Sequence, residues 1–200
     1  FLSELKEYKH KKLVVMSKND IETKNCIENF QDIKIFFQTK DGYGNALIEG
    51  INAIKTKYFC IINADGSMDP KELNDMLIKI NEENYDMVFG SRYMKNAGSE
   101  DDDFITFIGN YFFTFLGNIL FRLDISDILY TYVMGKTKQA QDLKLKKEDF
   151  QICVELPILS KFNKLKYISI PCKERKRIGG KKKVNVLKDG SLILLAILSF

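Results

Sequence analysis

Short β-favouring runs alternate along this chain with segments of helical spacing, and no other feature constrains the fold as strongly. The runs fall at residues 12–17, 33–38, 58–63, 86–90 and 166–171. Between them Leu47, Ile51 and Ile54 recur on one helical face, and Asp69-Pro70 opens a second helix carrying Leu73, Leu77 and Ile80. Strands that must cross over a helix to reach one another pair mostly in parallel. The pattern therefore predicts an α/β fold: a mostly parallel central sheet with helices on both faces.

The remaining features bound what such a domain contains. With 200 residues, 45% of them hydrophobic and 29% charged, the chain is long enough for one buried core, read as a single domain over residues 1–190. Cys26, Cys60, Cys153 and Cys172 lack the close spacing of metal or disulfide frameworks and read as reduced residues of a cytoplasmic protein. The chain starts without Met in what reads as mid-helix and carries no signal-peptide apolar run, as a fragment truncated at its N-terminus would. Residues 184–200 read as the start of an apolar helix associated with a membrane. From 104 to 123 the chain is aromatic and aliphatic, with Thr106, Gly109, Asn110, Thr114, Gly117 and Asn118 at roughly helical spacing. That is an amphipathic or buried helix, with a barely long enough transmembrane span as the alternative.

The net charge of +4 is unevenly placed, because residues 173–189 hold eight Lys and Arg against Glu174 and Asp189. Such a segment attracts phosphate or anionic lipid; its plain alternative is a solvated charge run. Nucleic acid is a poor partner for a chain that also carries Asp101-Asp102-Asp103. A dinucleotide fold is disfavoured because Gly42-Tyr43-Gly44 lacks the third glycine.

The strongest local motif is the run from Ile61 through Asn63, Asp65 and Ser67 to Pro70, an apolar strand that ends in oxygen-bearing side chains and turns into a helix. Ligands gather at such strand ends in open α/β sheets. A carboxylate there suits a hard divalent cation, Mg2+ or Mn2+, bridging a diphosphate, which makes Asp65 the metal ligand. Alternatively Asp65-Gly66-Ser67 is a turn and Asp69 an N-cap. Asp41-Gly42-Tyr43-Gly44-Asn45-Ala46-Leu47 precedes this motif and Phe89-Gly90-Ser91-Arg92-Tyr93 follows it.

In order and spacing these blocks resemble glycosyltransferase family 2 of the GT-A fold, and more narrowly the dolichyl- and polyprenyl-phosphate sugar transferases, over roughly residues 33–190. The resemblance implies a donor site of Asp20, Gly42, Gly44, Asn63 and Asp65, with Asp65 and Ser67 meeting the metal. Asn63 replaces the first acid of the family's Asp-x-Asp block and keeps hydrogen bonding to a ribose or base edge without the negative charge. Arg92 takes the place of the arginine that meets an acceptor phosphate, with a surface salt bridge as its alternative. Asp127 occupies the place of an active-site carboxylate, and Arg177, Gly180 and Lys183 match a late basic block that would also hold acceptor phosphate. Where the family brings Arg and Ser to the acceptor, this chain has Asp101-Asp102-Asp103 and Thr106, and an acidic cluster repels phosphate.

The implied activity is metal-dependent, inverting transfer of a sugar from a nucleotide-sugar donor to a polyprenyl-phosphate-type lipid, at the cytoplasmic face of a membrane. A lipid phosphate is already anionic and needs no strong base, which suits a chain whose one histidine, His10, lies far from the motifs. A saccharide hydroxyl acceptor would need a base such as Asp127. A degenerate, non-catalytic nucleotide-sugar-binding domain is the further alternative that Asn63 leaves open.

Overall fold

Each β-favouring run becomes a strand within a residue or two of its expected bounds. The computed structural model describes residues 1–179 and 184–200. It opens with a 3-10 turn, Glu4–Glu7, followed by β1 (Lys12–Met16), α1 (Ile21–Ile27), β2 (Ile33–Phe37), α2 (Tyr43–Ala53), β3 (Tyr58–Ile61), α3 (Glu72–Asn81) and β4 (Met87–Ser91). A two-residue β5 (Gly98–Ser99) leads into the long α4 (Phe104–Phe121). Then come β6 (Val133–Lys136), α5 (Thr137–Asp142), α6 (Ile152–Phe162), β7 (Tyr167–Pro171), β8 (Lys173–Glu174) and α7 (Val186–Leu198).

The central sheet has the order β3-β6-β4-β7. β4 and β7 are parallel, whereas β6 runs antiparallel to both β3 and β4. A four-residue strand, Val-Met-Gly-Lys, carries too few alternations to be read from sequence, and its place is set by its two neighbours. β1 and β2 form a separate parallel pair, against which α2 packs through β1. β3, β4 and β7 thus share one direction, so their carboxyl ends lie on one edge of the sheet.

Side chains alternate between the two faces of the central strands, and there is core on both. Phe59, Ile61, Met87, Phe89 and Val133 face a cluster with Val154, Leu156 and Ile158 of α6 and Ile193, Ala196 and Ile197 of α7. Val88, Met134 and Ile170 face the opposite cluster with Leu73, Met76 and Ile80 of α3, and Leu5 from the first turn joins them. Each such side chain contributes about 1.5–3 kcal/mol on burial. Because Ile193, Ala196 and Ile197 are core residues, the domain continues past residue 190 and α7 is part of it.

Helix α4 is amphipathic, with its polar side turned inward and its apolar side outward. Its buried residues are Asn110, Thr114 and Gly117, while Phe104, Ile105, Ile108, Tyr111, Phe115 and Ile119 are exposed. The inward polar groups latch the chain that follows. Thr114 Oγ1 accepts from the Ile128 amide at 3.1 Å, and Asn118 exchanges two hydrogen bonds with the Ile125 backbone at 2.7 and 3.1 Å. Asp103 caps its first turn through the Thr106 amide, and Arg122 ends it in the left-handed conformation. Among the described residues it is the one helix long and apolar enough to cross a membrane, and only 17% of that span is buried.

Candidate active site

The site is built where β3 and β4 end. After Ile61 the chain turns so that Asp65 Oδ1 accepts from the Ser67 amide at 3.0 Å, while Ser67 itself is buried. The Asp65 carboxylate remains about a quarter exposed. Asn63, two residues earlier, accepts at Oδ1 from the Tyr43 hydroxyl at 3.1 Å, and that hydroxyl lies 2.6 Å from Thr131 Oγ1. Burial pushes the Tyr43 hydroxyl pKa up, so it stays a neutral donor, and its ring stacks on Phe150 at 5.1 Å.

Gly42 and Gly44 act through packing. Gly42 has φ +123°, and a Cβ on either residue would collide with the backbone carbonyls of Glu148 or Lys147. The Asn45 amide donates to Glu148 O at 2.9 Å, and the buried Glu155 carboxylate holds that loop through the Lys146 and Lys147 amides. These glycines bring the start of α2, with Tyr43, up to Asn63 at the end of β3.

Arg92 and Asp127, expected to meet substrate separately, face one another. Arg92 Nε and Nη2 donate to Asp127 at 2.7 and 3.0 Å, and Nη1 donates to Asp102 and Glu174, each at 3.3 Å. The guanidinium lies 4.6 Å from the Tyr130 ring centre and 5.3 Å from that of Tyr93. Every guanidinium nitrogen thus faces a carboxylate, and both residues are buried, Asp127 to 1% exposure. Burial works against the Arg92 charge, but Asp127 and Glu174 outweigh it and hold the pKa well above the usual value. Burial also raises the Glu174 pKa, against the pull of Arg92 and the Ser99 hydroxyl. Removing one partner of such a cluster leaves an uncompensated buried charge, at a cost of about 3–5 kcal/mol. In this arrangement the two residues join the four segments that carry Arg92, Asp102, Asp127 and Glu174 rather than present a free edge to phosphate or to a hydroxyl.

The acidic run 101–103 is also placed differently from its expectation as a phosphate-repelling cluster. Asp101 takes Arg177 through Nε at 3.1–3.2 Å and Nη2 at 2.6 Å. Asp102 takes Arg92 and the Tyr93 hydroxyl, and Asp103 caps α4. Arg177 reaches further, with Nη1 3.8 Å from Asp65 Oδ2. Its own segment crosses the 65–67 turn: the Arg175 amide donates to Ser67 O and the Ile178 amide to Asp65 O, both at 2.8 Å.

Asp20, expected at the nucleotide, caps α1 through the Thr23 amide at 3.0 Å and the Thr23 hydroxyl at 2.7 Å. Lys183 and Gly180 lie outside the described residues. Asp65, Asn63, Ser67, Arg92, Asp127 and Arg177 are brought into one connected region. Sequence reasoning missed Glu174, Ser99, Tyr43 and Thr131 as its members. The lone acid Glu174 inside a basic run was the one available signal, since an isolated opposite charge there asks for a buried partner.

Among the described residues the carboxylates Asp65, Asp101, Asp102, Asp127 and Glu174 meet the guanidiniums Arg92 and Arg177 here. Among the described residues no three acids, histidines or cysteines converge on one point. A divalent ion would therefore rest on Asp65 and on oxygens that its substrate brings, the mode that Mg2+ and Mn2+ adopt with phosphates. Two shallow cavities of about 320 and 380 Å3 lie elsewhere, beside α5, and none of these site residues lines them.

The family model for glycosyl transferase family 2 matches residues 2–143. A curated relative, an uncharacterized protein of Methanocaldococcus jannaschii, is 27% identical over 179 residues, covering 86% of this chain and 73% of its own length. Among solved structures, glucosyl-3-phosphoglycerate synthase from Mycobacterium tuberculosis with UDP superposes with a TM-score of 0.64 at 13% identity, over 94% of this chain and 67% of that one. The same enzyme with Mn2+, UDP and phosphoglyceric acid gives a TM-score of 0.68 at 13% identity, over 98% and 70% of the two chains. At that identity the likeness is one of fold.

Proposed function

The chain belongs to glycosyl transferase family 2 and is a glycosyltransferase of the GT-A α/β fold; from that premise we propose that Asp65 carries a divalent cation, Mg2+ or Mn2+, for a nucleotide-sugar donor. The observation that carries this reading is the placement of the Asp65 carboxylate. It stands partly exposed at the carboxyl end of β3, beside the oriented Asn63 amide and the Ser67 turn. When bound, the cation supplies positive charge against the departing nucleoside diphosphate. The chain's own part is to hold that geometry. Tyr43 and Thr131 fix Asn63 for a ribose or base edge, and Ser67 sets the angle of Asp65.

Arg92 and Asp127 enter this reading as positioning residues that tie the ends of β4, β5 and β8 together. Arg177, with Lys183, is assigned to the acceptor phosphate. Asp127 is locked on Arg92 rather than held free as a base, which favours an acceptor that is already an anionic nucleophile. A polyprenyl-phosphate-type lipid is such an acceptor, and the apolar outer face of α4 supports its delivery at the cytoplasmic face of a membrane. Displacement by that phosphate oxygen would invert the anomeric centre. A second reading is transfer to a small phosphate-bearing acceptor, favoured by the phosphoglyceric acid in the complexes of the structural relatives.

The test is a screen of nucleotide sugars with Mn2+ or Mg2+, offering polyprenyl phosphate in vesicles in one arm and phosphoglycerate in the other. Metal-dependent product in the vesicle arm, lost in Asp65→Ala, is the expected result. Product in the phosphoglycerate arm alone selects the second reading, and donor binding without product in either arm selects a non-catalytic domain.

A further inference from the structure

The segment after β7 crosses the 65–67 turn as a strap, residues 173–179, and its contacts there divide into firm and loose ones. The firm ones are main-chain bonds from Arg175 to Ser67 and from Ile178 to Asp65, with Arg175 Nε also donating to Gly66 O at 3.2 Å. Firm too is the two-nitrogen grip of Arg177 on Asp101. The loose one is the approach of Arg177 Nη1 to Asp65 Oδ2 at 3.8 Å. Oδ2 is the oxygen that the Ser67 amide leaves over, since that amide bonds Oδ1. A positive group therefore already stands at the carboxylate edge that a cation needs.

The asymmetry has a physical consequence. Arg177 is anchored on Asp101 and only leans on Asp65, so it can leave Asp65 without leaving the site. A divalent ion arriving at Asp65 cancels the attraction that draws Arg177 there and repels its charge. The guanidinium, still held at Asp101, is then free to turn toward phosphate oxygens, which it binds in the same forked geometry as a carboxylate.

We propose that Arg177 stands in for the metal at Asp65 in the metal-free enzyme, so that cation binding and release of its guanidinium from the Asp65 carboxylate are one coupled event. The inference rests on the reading of Asp65 as the metal ligand. It adds that the strap competes with the cation, which makes Arg177 a gate on donor binding as well as a phosphate group holder.

The experiment measures Mn2+ binding by electron paramagnetic resonance without nucleotide, on the whole chain. Arg177→Gln is expected to bind Mn2+ about two- to fivefold tighter than the parent, the range a partly exposed ion pair can withhold. Lys176→Gln removes the same charge from the same strap at an exposed side chain, and its Mn2+ affinity stays at the parent level. A merely structural role for Arg177 would weaken binding or leave it unchanged, and either result overturns the proposal, as does equal tightening in Lys176→Gln. Asp65→Asn separates the two levels. If it leaves Mn2+ binding intact, the metal assignment fails; if it abolishes binding while Arg177→Gln changes nothing, only the gate fails.

Discussion

Helix α3 packs on β4 and β6 of the sheet and α4 packs on α6 and α7; both are amphipathic, yet they turn opposite kinds of face inward. α3 buries Leu73, Met76 and Ile80 and exposes Asn74, Asp75 and Asn81. α4 buries Asn110, Thr114 and Gly117 and exposes Phe104, Ile105, Tyr111 and Phe115. The first arrangement is what water on the far side selects. In the second, hydrogen bonds to the 122–131 segment hold the inner face, and the outer face is apolar. That exposed apolar face is the surface the proposed membrane contact would cover. α4 carries no charged residue along its 18 positions.

The comparison can be broken most severely on the inner face of α3. Met76→Asp, at a position with 0% exposure, places an unpaired carboxylate in the core and should cost more than about 4 kcal/mol, enough to abolish the cooperative thermal transition. On the inner face of α4 the damage is smaller and of a different kind. Thr114→Val keeps the shape but leaves the Ile128 amide unpaired, and chemical denaturation should show a loss of about 1–3 kcal/mol. On the outer face of α4 the double change Ile108→Glu with Phe115→Glu should move stability by no more than about 0.5 kcal/mol. Cosedimentation with anionic vesicles should fall at least tenfold in that variant; unchanged cosedimentation would remove the membrane from the proposed function. The smallest effect belongs to the outer face of α3. Lys79→Ala loses the ion pair that its 30% exposed side chain makes with Glu83, and should lower the unfolding free energy by about 0.3–0.5 kcal/mol with vesicle binding untouched.

How much of this was legible beforehand follows the range of the interactions. Apolar runs at residues 12–17, 33–38, 58–63, 86–90 and 166–171 located five strands, because the side-chain pattern of a strand is local. The α3 helix was legible from Asp69-Pro70 and the spacing of Leu73, Leu77 and Ile80 for the same reason. The turn at Asp65 could be seen because strand, oxygen ligands and helix follow one another without interruption.

What the chain determines by itself is thus the alternation of elements, the family blocks and the position of the Asp65 turn, all written within windows of a dozen residues. Tertiary structure alone decided that β6 enters the sheet antiparallel, that α4 turns its polar side inward, and that Arg92 meets Asp127, Asp102 and Glu174. Those partners stand 35, 10 and 82 residues away in sequence. A charge names its need for a counter-charge but not which one, and only the folded path of the backbone selects among the acids available.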